Sequence, residues 1–593
     1  MAEQLTNEQQ AAVDSRGRSL LVSAAAGSGK TKVLVERLFS YVEREGANLD
    51  DFLIITYTRA AASELRGKIA KALTERMERD PGNEHLRRQM LRVYRADIKT
   101  VDAFCTALLR ENCHLLGEDA RGHTLRPDFR VLDENDAQAL RERVLARTLD
   151  DFYDRLTPGG ALLADTLGAG RDDSALEALV LELHAKLQAQ PYEDKWLDAQ
   201  RALWSEVPDR IEKTPYGRIL LDEVRRKARH WQRLMQTAAQ EMTQNDALNQ
   251  KYAPAFLDVS YQLEALTAKA DEGWDAARGV SIAFPRLAPV KDSDGGELKT
   301  RMKALWDGCK AAVKGFGELL NASSGEAAED LRTMAPAMLA LIDLTAEFSR
   351  RYNEEKRRRN AADFSDQEHE AIRLLIGEDG TPTELARTVS TRYREIMVDE
   401  YQDTNEVQNR IFDAISCKGE NLFTVGDVKQ SIYRFRLADP RIFLQHYNTW
   451  PPLAQAGEHE SAKLLLSRNF RSRKEVLEAT NFIFTNVLSA EMGELDYGED
   501  EMLRPGANYV PSDRCGAEFH LLDVPAQAGG QRVRASEAEA AFAADYIHDM
   551  LTSKFPVQDE KTRELRPVRE EDIVILMRSP STRLLDYRRA LEA

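Results

Sequence analysis

The residues best suited to chemistry form a glycine loop near the start of the chain. The segment Ala24–Thr31 reads AAAGSGKT, follows the apolar run Ser19–Ser23 and precedes a helical pattern. A strand, a glycine loop and a helix N-terminus form an anion site, because free N–H groups and the helix dipole point toward phosphate. Lys30 would reach the β- and γ-phosphates of a nucleotide, and the Thr31 hydroxyl would bind Mg²⁺.

An acidic pair gives the second chemical signal. The apolar run Glu395–Val398 leads directly into Asp399 and Glu400. An aspartate at the carboxyl end of a strand can hold magnesium, and the adjacent glutamate can orient and deprotonate an attacking water. The alternative interpretation is a surface turn, since acidic pairs are common in this chain.

Other site chemistries are disfavoured by residue spacing. The chain has 5 cysteines and 10 histidines, with no C-x-x-C and no H-x-x-x-H pair, which argues against a zinc ribbon, an iron–sulfur knuckle or a zincin. Scattered cysteines favour a reducing cytoplasm over a disulfide scaffold. The polar N-terminus lacks the apolar stretch of a signal peptide, and no run of about 18 apolar residues predicts a membrane span.

The elements that must position these residues fall into zones. Residues 1–113 alternate short apolar runs with helical patterns, and strand signals return over 356–450, which together predict an α/β domain with a parallel sheet. Residues 114–355 show mostly amphipathic helix and are predicted to be a large all-α insertion. From 451 to 593 a further, incomplete α/β unit is predicted, with a strand at 572–577.

Charge limits where nucleic acid could bind. Of 593 residues, 82 are Lys or Arg and 99 are Asp or Glu, so the net charge is −17. This balance disfavours a broad basic coat but permits a narrow basic groove. The cluster Lys356–Arg359 could be a solvated helix end or a phosphate contact. The five tryptophans of the insertion could pack between helices or stack on bases; they are Trp196, Trp204, Trp231, Trp274 and Trp306.

The order of motifs resembles that of superfamily 1 helicases of the UvrD/Rep/RecB group. The segments that carry the resemblance are LTNEQ ending at Gln9, AAAGSGKT at 24–31, TYTRAAASEL at 56–65, TVDAFC at 100–105, DEYQDTN at 399–405, GDVKQSIYRFR at 426–436 and NFRS at 469–472. Within that group the chain is most similar to the AddA (RexA) family of helicase–nuclease subunits, on DEYQDTN and on VGDVKQSIYRFRLADP at 425–440.

The resemblance implies a P-loop NTPase fold in which ATP binds between two RecA-like lobes. The residues implied to contact ATP are Gln9, Ser23, Ala24, Ala25, Ala26, Gly27, Ser28, Gly29, Lys30 and Thr31. Thr31 and Asp399 would hold Mg²⁺, and Glu400 would act as the base. Gln430 would sense the γ-phosphate. Arg471 would stabilise charge from the second lobe, unless it forms only a surface salt bridge.

Single-stranded DNA is implied to cross the top of both lobes. The implied contacts are Thr56, Tyr57, Thr58, Arg59, Phe104, Tyr433, Arg434, Phe435 and Arg436. The four rings would stack on bases and the three arginines would contact phosphates, although core packing would account for each ring equally well. Asp102 and Arg59 stand where relatives often have histidine and asparagine, which leaves the contacts there open.

The resemblance implies an ATP-dependent 3′→5′ DNA helicase or translocase subunit of a helicase–nuclease that processes double-strand breaks for recombinational repair. Its implied partners are single-stranded DNA, double-stranded DNA ends and an AddB-like second subunit in a heterodimer. The later helicase motifs and the nuclease signature are absent, which predicts an N-terminal portion without nuclease activity. The alternatives are a monofunctional UvrD-like repair helicase and a non-catalytic DNA-binding scaffold.

Overall fold

A computed structural model describes residues 5–118, 122–167, 174–416, 419–512, 515–524, 527–528, 531–532, 534–559 and 562–593, with the backbone alone at 292–295, 436, 491–492, 527–528 and 531–532. The chain divides into two compact units. The first joins Met1–Leu116 to Phe364–Ala593, and the second is Gly117–Asp363.

The strands of the described residues are short. In chain order they are β1 (Leu20–Ala24), β2 (Phe52–Thr56), β3 (Asp97–Thr100), β4 (Arg130–Val131), β5 (Ala361–Ala362), β6 (Glu395–Val398), β7 (Leu422–Gly426), β8 (Ala462–Leu466), β9 (Arg468–Asn469), β10 (Arg504–Pro505), β11 (Gln527–Ala528), β12 (Gln531–Arg532), β13 (Pro556–Gln558) and β14 (Leu565–Pro567).

The helices account for most of the regular structure. In chain order they are α1 (Asn7–Asp14), α2 (Lys30–Glu45), α3 (Arg59–Arg79), α4 (Glu84–Arg92), α5 (Val101–Asn112), α6 (Glu134–Asp154), α7 (Pro158–Leu167), α8 (Ser174–Gln188), α9 (Glu193–Ser205), α10 (Pro215–Met242), α11 (Asp246–Lys251), α12 (Ala253–Glu272), α13 (Trp274–Arg278), α14 (Asp292–Leu319), α15 (Ser324–Arg358), α16 (Phe364–Leu375), α17 (Glu384–Arg392), α18 (Glu406–Ile415), α19 (Pro440–Thr449), α20 (Lys474–Val487), α21 (Ala490–Gly493), α22 (Ala535–Thr552) and α23 (Pro580–Glu592).

The first unit is built around a six-stranded sheet. Its strand order is β3-β2-β6-β7-β1-β8, and every neighbouring pair is parallel. Strands β1, β2, β6 and β7 are buried along their whole length, as expected for apolar strands covered on both faces. The predicted α/β fold with a parallel sheet is confirmed. The carboxyl ends of β1, β6 and β7 lie at one edge, which is where α/β proteins bind ligands.

Two expectations about the last part of the chain differ from the structure. Strand β8 lies beyond the predicted boundary at 451, yet it pairs with β1 along Leu20–Ala24 and so completes the first sheet. The predicted strand at 572–577 is wrong: a 3-10 turn ends at Asp572, and Val574 and Leu576 are exposed. No strand of the described residues pairs with this segment, so its backbone lacks the ladder that defines a strand.

The second unit is helical apart from the short pair β4–β5. That pairing carries the unit past the predicted boundary at 355, because Ala361 and Ala362 are in register with Arg130 and Val131. Its five tryptophans are buried or half-buried within apolar clusters between helices, which favours packing over base stacking. None of the described helices is both long and apolar enough to cross a membrane.

The interpretation of the basic cluster Lys356–Arg359, at the end of α15, as a solvated helix end is wrong for Lys356. That side chain is buried, its ammonium lies 2.9 Å from the Asp363 carboxylate and it sits over the Tyr352 ring. Arg358 and Arg359 both pair with Glu355, and these bonds lower the pKa of Glu355 to about 2. At least three of the four cations of the cluster are therefore paired with two carboxylates of the same unit.

Candidate nucleotide and DNA site

The glycine loop connects β1 to α2 at the carboxyl edge of the sheet. Gly27 and Gly29 have φ of 68° and 84°, which L side chains rarely adopt. A side chain at Gly27 would place its Cβ 2.7 Å from Asn469 Nδ2. Gly29 is the N-cap of α2, so Lys30 and Thr31 stand in the first turn, where N–H groups are unpaired. The segment thus has the form of a phosphate loop.

The side chain of Gln9 is fixed from both ends. Thr6 and Gln9 form a capping box at the start of α1, in which the Thr6 N–H donates to Gln9 Oε1 at 3.0 Å. The amide Nε2 then donates to the Ser28 carbonyl at 2.9 Å. The structure therefore brings Gln9 against the phosphate loop, and its contact with ATP stays a prediction.

Asn469 joins the phosphate loop to the predicted arginine. Its Nδ2 donates to the Ala26 carbonyl at 2.7 Å, while its Oδ1 accepts from the N–H of Arg471 and of Ser472. A Cβ at Gly27 would lie 2.9 Å from Arg471 Cβ. Arg471 forms no ion pair with any described residue, so the salt-bridge alternative is not observed. The sequence named the NFRS motif but missed this role of its asparagine.

The acidic pair faces the phosphate loop. Lys30 Nζ lies 2.7 Å from Glu400 Oε2, and Glu400 has a left-handed backbone, with φ of 52°. Burial and the Glu400 carboxylate raise the pKa of Asp399 to about 6, while the Lys30 charge opposes the shift. A strained residue paired with the phosphate-loop lysine does not fit the surface-turn alternative.

A chain of hydrogen bonds runs from the acidic pair to the next motif. Gln402 Nε2 donates to Glu400 Oε2 at 2.8 Å, and its Oε1 accepts from the Asp427 N–H at 2.9 Å. Gln430 Nε2 donates to Asp427 Oδ2 at 2.8 Å. Gln402 is buried at the centre of this chain of hydrogen bonds. The sequence assigned it no role, because its partner Asp427 lies 25 positions away, in the turn after β7.

The donor set near Lys30 suits a hard divalent cation. Thr31 offers a hydroxyl and Asp399 a carboxylate, and Mg²⁺ is held by one or two such groups together with substrate phosphates. Among the described residues no group of three or more His, Cys, Asp or Glu could hold a metal ion. The two oxygen donors therefore fit a nucleotide-bound magnesium.

A cavity of about 700 Å³ opens beside the loop. Gln9, Gly29 and Lys32 line one side of it, and Phe470 and Tyr509 are among the residues of the other side. This volume lies within the range of small-ligand sites. None of Lys32, Phe470 and Tyr509 was a predicted site residue, and a single sequence carries no signal for Tyr509.

The predicted DNA contacts from the N-terminal part of the chain, which we call the first group, are only partly exposed. They are Thr56, Tyr57, Thr58, Arg59 and Phe104. Phe104 is 4% exposed and packs in the core, so its prediction as a stacking ring is wrong. The Tyr57 hydroxyl bonds to Thr404, and its half-buried ring leaves little free face. Thr58 caps α3, whose first residue, Arg59, is exposed. Thr56 is buried at the end of β2.

The other predicted DNA contacts are Tyr433, Arg434, Phe435 and Arg436. The first three of them belong to a segment that we call the exposed tip, defined as residues 432–435. Ile432 and Phe435 are 70% and 76% exposed, and the Tyr433 and Phe435 rings lie 5.8 Å apart. Arg434 is exposed and pairs with Glu494 at 2.6 Å. The Arg436 side chain lies outside what the structure describes. The Tyr433 ring is half-buried, whereas the exposed Phe435 ring beside a cation suits base stacking and phosphate contact.

A buried carboxyl lies beneath the first group. Glu368 on α16 accepts from Gln408 Nε2 at 2.7 Å, and the charge that acts on it most strongly is that of Asp102 on α5. Burial, and then the Asp102 charge, raise the pKa of Glu368 to about 7, while His369 opposes the shift. Burial raises the pKa of Asp102 as well.

Replacing Glu368 with glutamine should stabilise the fold at pH 8 by up to about 3 kcal/mol and change little at pH 5. A raised carboxyl pKa means that the folded state favours the protonated form. Stability from this group is therefore complete below pH 4.5 and falls as pH rises toward 7. Chemical denaturation at both pH values measures the difference in free energy of unfolding between the variant and the unsubstituted chain. An equal difference at pH 5 and pH 8 would contradict the shifted pKa.

The fold and the loop geometry define a class of protein, and comparison with known families agrees. The chain belongs to the UvrD/REP helicase family, whose N-terminal domain model matches residues 5–451. This confirms the resemblance found in the motifs.

Several curated bacterial relatives are described as the A subunit of an ATP-dependent helicase/nuclease. The one from Ruminiclostridium cellulolyticum is 33% identical over 621 residues, covering 97% of this chain and 49% of the relative. Those from Bacillus licheniformis and Alkaliphilus oremlandii are 32% and 34% identical over 590 and 587 residues, each covering 97% of this chain and 47% of the relative. The chain spans about half the length of the curated relatives it matches.

Proposed function

We propose that this chain is the motor portion of an ATP-dependent DNA helicase–nuclease subunit that moves 3′→5′ along single-stranded DNA during processing of double-strand breaks. The observation that carries the proposal is the hydrogen-bonded chain from Lys30 through Glu400, Gln402 and Asp427 to Gln430. It joins a phosphate loop to a segment that continues directly into the exposed tip at 432–435. A motor needs such a connection between nucleotide and DNA.

ATP hydrolysis would proceed by positioning and charge stabilisation. Lys30 would exchange the Glu400 carboxylate for phosphate oxygens, which frees Glu400 to orient and deprotonate the attacking water. Arg471, held beside Gly27, would neutralise charge that develops on the transferring phosphoryl group. Thr31 and Asp399 would hold Mg²⁺, which would supply positive charge to offset that of the phosphates.

A movement of Glu400 would be transmitted through hydrogen bonds to the exposed tip at 432–435. Gln402 is hydrogen-bonded to Glu400 and to the Asp427 backbone. When Glu400 takes a new partner, Gln402 would shift, and with it the hydrogen bond that positions the turn at 427–430. Gln430 is fixed to Asp427 within that turn. We expect ATP binding and hydrolysis to shift the exposed rings relative to the bases on which they stack.

Protein and DNA partners belong to the same proposal. The relatives are named as subunits, and a second, AddB-like chain would complete the complex at DNA ends. Single-stranded DNA would follow the exposed tip and Arg59. This narrow track agrees with a net charge of −17, which disfavours a broad basic face.

Replacing Phe435 with alanine should lower the affinity for a labelled oligothymidylate by about 5- to 100-fold, because one stacked base is worth roughly 1–3 kcal/mol. In the unsubstituted chain a non-hydrolysable ATP analogue should change that affinity by about fivefold or more, as expected for coupled sites. Fluorescence anisotropy at fixed low salt measures both quantities.

Two further variants sharpen the test. Phe519→Ala removes an equally exposed ring outside the tip and should leave DNA affinity unchanged. Glu494→Gln removes the carboxylate paired with Arg434 and should raise affinity by a few-fold, about the worth of one exposed ion pair. Equal DNA affinity in all variants, with no response to the ATP analogue, would rule out the proposed motor.

A further inference from the structure

One wall of the nucleotide cavity is built by residues outside every motif of the sequence. Gln9 and Lys32 line the side next to the phosphate loop. The opposite wall is formed by residues 506–510 and by Gln558 and Arg563 of the β13–β14 hairpin. We call this second side the outer wall.

Phe470 connects the outer wall to the phosphate loop. Its N–H donates to the Gly27 carbonyl at 2.8 Å, which places the ring beside the loop. Gly506 donates its N–H to the Asn469 carbonyl at 2.8 Å, and a Cβ at Gly506 would lie 2.8 Å from the Phe470 ring. The absence of a side chain at 506 is what lets the outer wall approach this ring.

Tyr509 ties the outer wall to the loop that carries Arg471. Its hydroxyl donates to the Arg471 carbonyl, and the Arg473 guanidinium lies 5.0 Å from its ring centroid. Arg473 also donates to the Val510 carbonyl at 2.6 Å, and the Val510 N–H donates to Gln558 Oε1 at 2.8 Å. One side chain therefore lines the cavity and holds the backbone of the proposed charge stabiliser.

We propose that Tyr509 is a positioning residue of the ATP site. Its ring contacts the nucleoside half of the nucleotide, and its hydroxyl sets the position of Arg471, whose guanidinium would meet the γ-phosphate. An aromatic ring suits a purine, because a π-face adds contact area with little loss of conformational freedom. The inference rests on the proposed function and adds a link between base occupancy and catalytic geometry.

The test separates the ring from the hydroxyl by calorimetric titration of the 593-residue chain with ADP, ATP and inorganic pyrophosphate, each with Mg²⁺. Tyr509→Ala should lower ADP affinity by about tenfold, the worth of one stacked ring, whereas pyrophosphate, which has no base, should lose no more affinity in Tyr509→Ala than in Tyr509→Phe. Tyr509→Phe should keep ADP affinity within about twofold but lower the ratio of ATP to ADP affinity by about threefold or more, as for one lost hydrogen bond.

The control is Tyr546→Phe, which removes a hydroxyl that donates to Glu518 at 2.7 Å outside this cavity, and it should change neither affinity. If Tyr509→Ala binds ADP like the unsubstituted chain while Lys30→Ala loses ATP, the inference is wrong and the proposed function stands. If Lys30→Ala also binds ATP normally, the proposed function itself fails. If Tyr509→Ala does not fold, the ATP-to-ADP ratio of Tyr509→Phe decides alone.

Discussion

Replacing Lys30 with alanine should lower ATP affinity by about 100-fold and remove any ATP hydrolysis by the chain. The substitution deletes the charge-assisted bonds from the ammonium to the phosphates. It also leaves the Glu400 carboxylate, now 2.7 Å from Lys30 Nζ, facing phosphate without its cation. Both losses act in the same direction, because like charges at close range repel. Titration with a fluorescent ATP analogue measures the change.

A second variant tests that account of the loss. Adding Glu400→Gln to Lys30→Ala should recover about fivefold in affinity, since the repelling carboxylate becomes a neutral amide. Lys186→Ala, which removes an exposed side chain of α8 that pairs with Glu182 four residues away, should bind ATP normally. If the double variant bound no better than the single one, Glu400 would not face the phosphates.

The parts of the fold that the sequence predicts are those set by local signals. Strands β1, β2, β6 and β7 are mostly apolar runs, and β6 and β7 lead directly into Asp399 and Asp427, so pattern alone locates the strands within a residue or two. The place of β8 in the first sheet depends on its pairing with β1, which is more than 400 residues distant. The apolar run at 572–577 looks like a strand, but no described strand pairs with it.

The site shows the same division. Motif residues that act through their own loop, such as Lys30 and Glu400, are predictable from type and spacing. Gln402, Asn469 and Tyr509 act through tertiary neighbours, and the Asn469 side chain meets Ala26 across 443 positions. Phe104 shows the reverse case: its motif suggests a DNA contact, but the helix turns its ring into the core. Spacing along one chain cannot encode such encounters.

Replacing Arg37 with alanine should destabilise the first unit by about 3–5 kcal/mol, the usual cost of leaving one charge of a buried pair unpartnered. Arg37 is fully buried on α2, its Nε donates to Glu395 Oε2 at 2.8 Å, and its Nη2 meets the other oxygen of that carboxylate. The Tyr41 hydroxyl donates to the same carboxylate at 3.1 Å. Denaturant titration should show the loss as a lower unfolding midpoint.

The position of this pair ties stability to function. Arg37 lies two turns beyond Lys30 on α2, and Glu395 begins β6, the strand that leads directly into Asp399. The pair therefore ties the helix that follows the phosphate loop to the strand that precedes the acidic pair. Arg37→Ala should therefore weaken ATP binding as well. Arg44→Ala is the control: Arg44 lies on the same helix with an exposed partner at Asp14, so its replacement should lower the free energy of unfolding by less than about 1 kcal/mol and leave ATP binding intact.

Replacing both partners with apolar residues, Arg37→Met with Glu395→Leu, should restore most of the stability, because no charge is then left buried. If the double variant recovers stability but not ATP affinity, the charged pair is needed to align α2 with β6. If the double variant is as unstable as Arg37→Ala, packing volume, not charge, accounts for the loss.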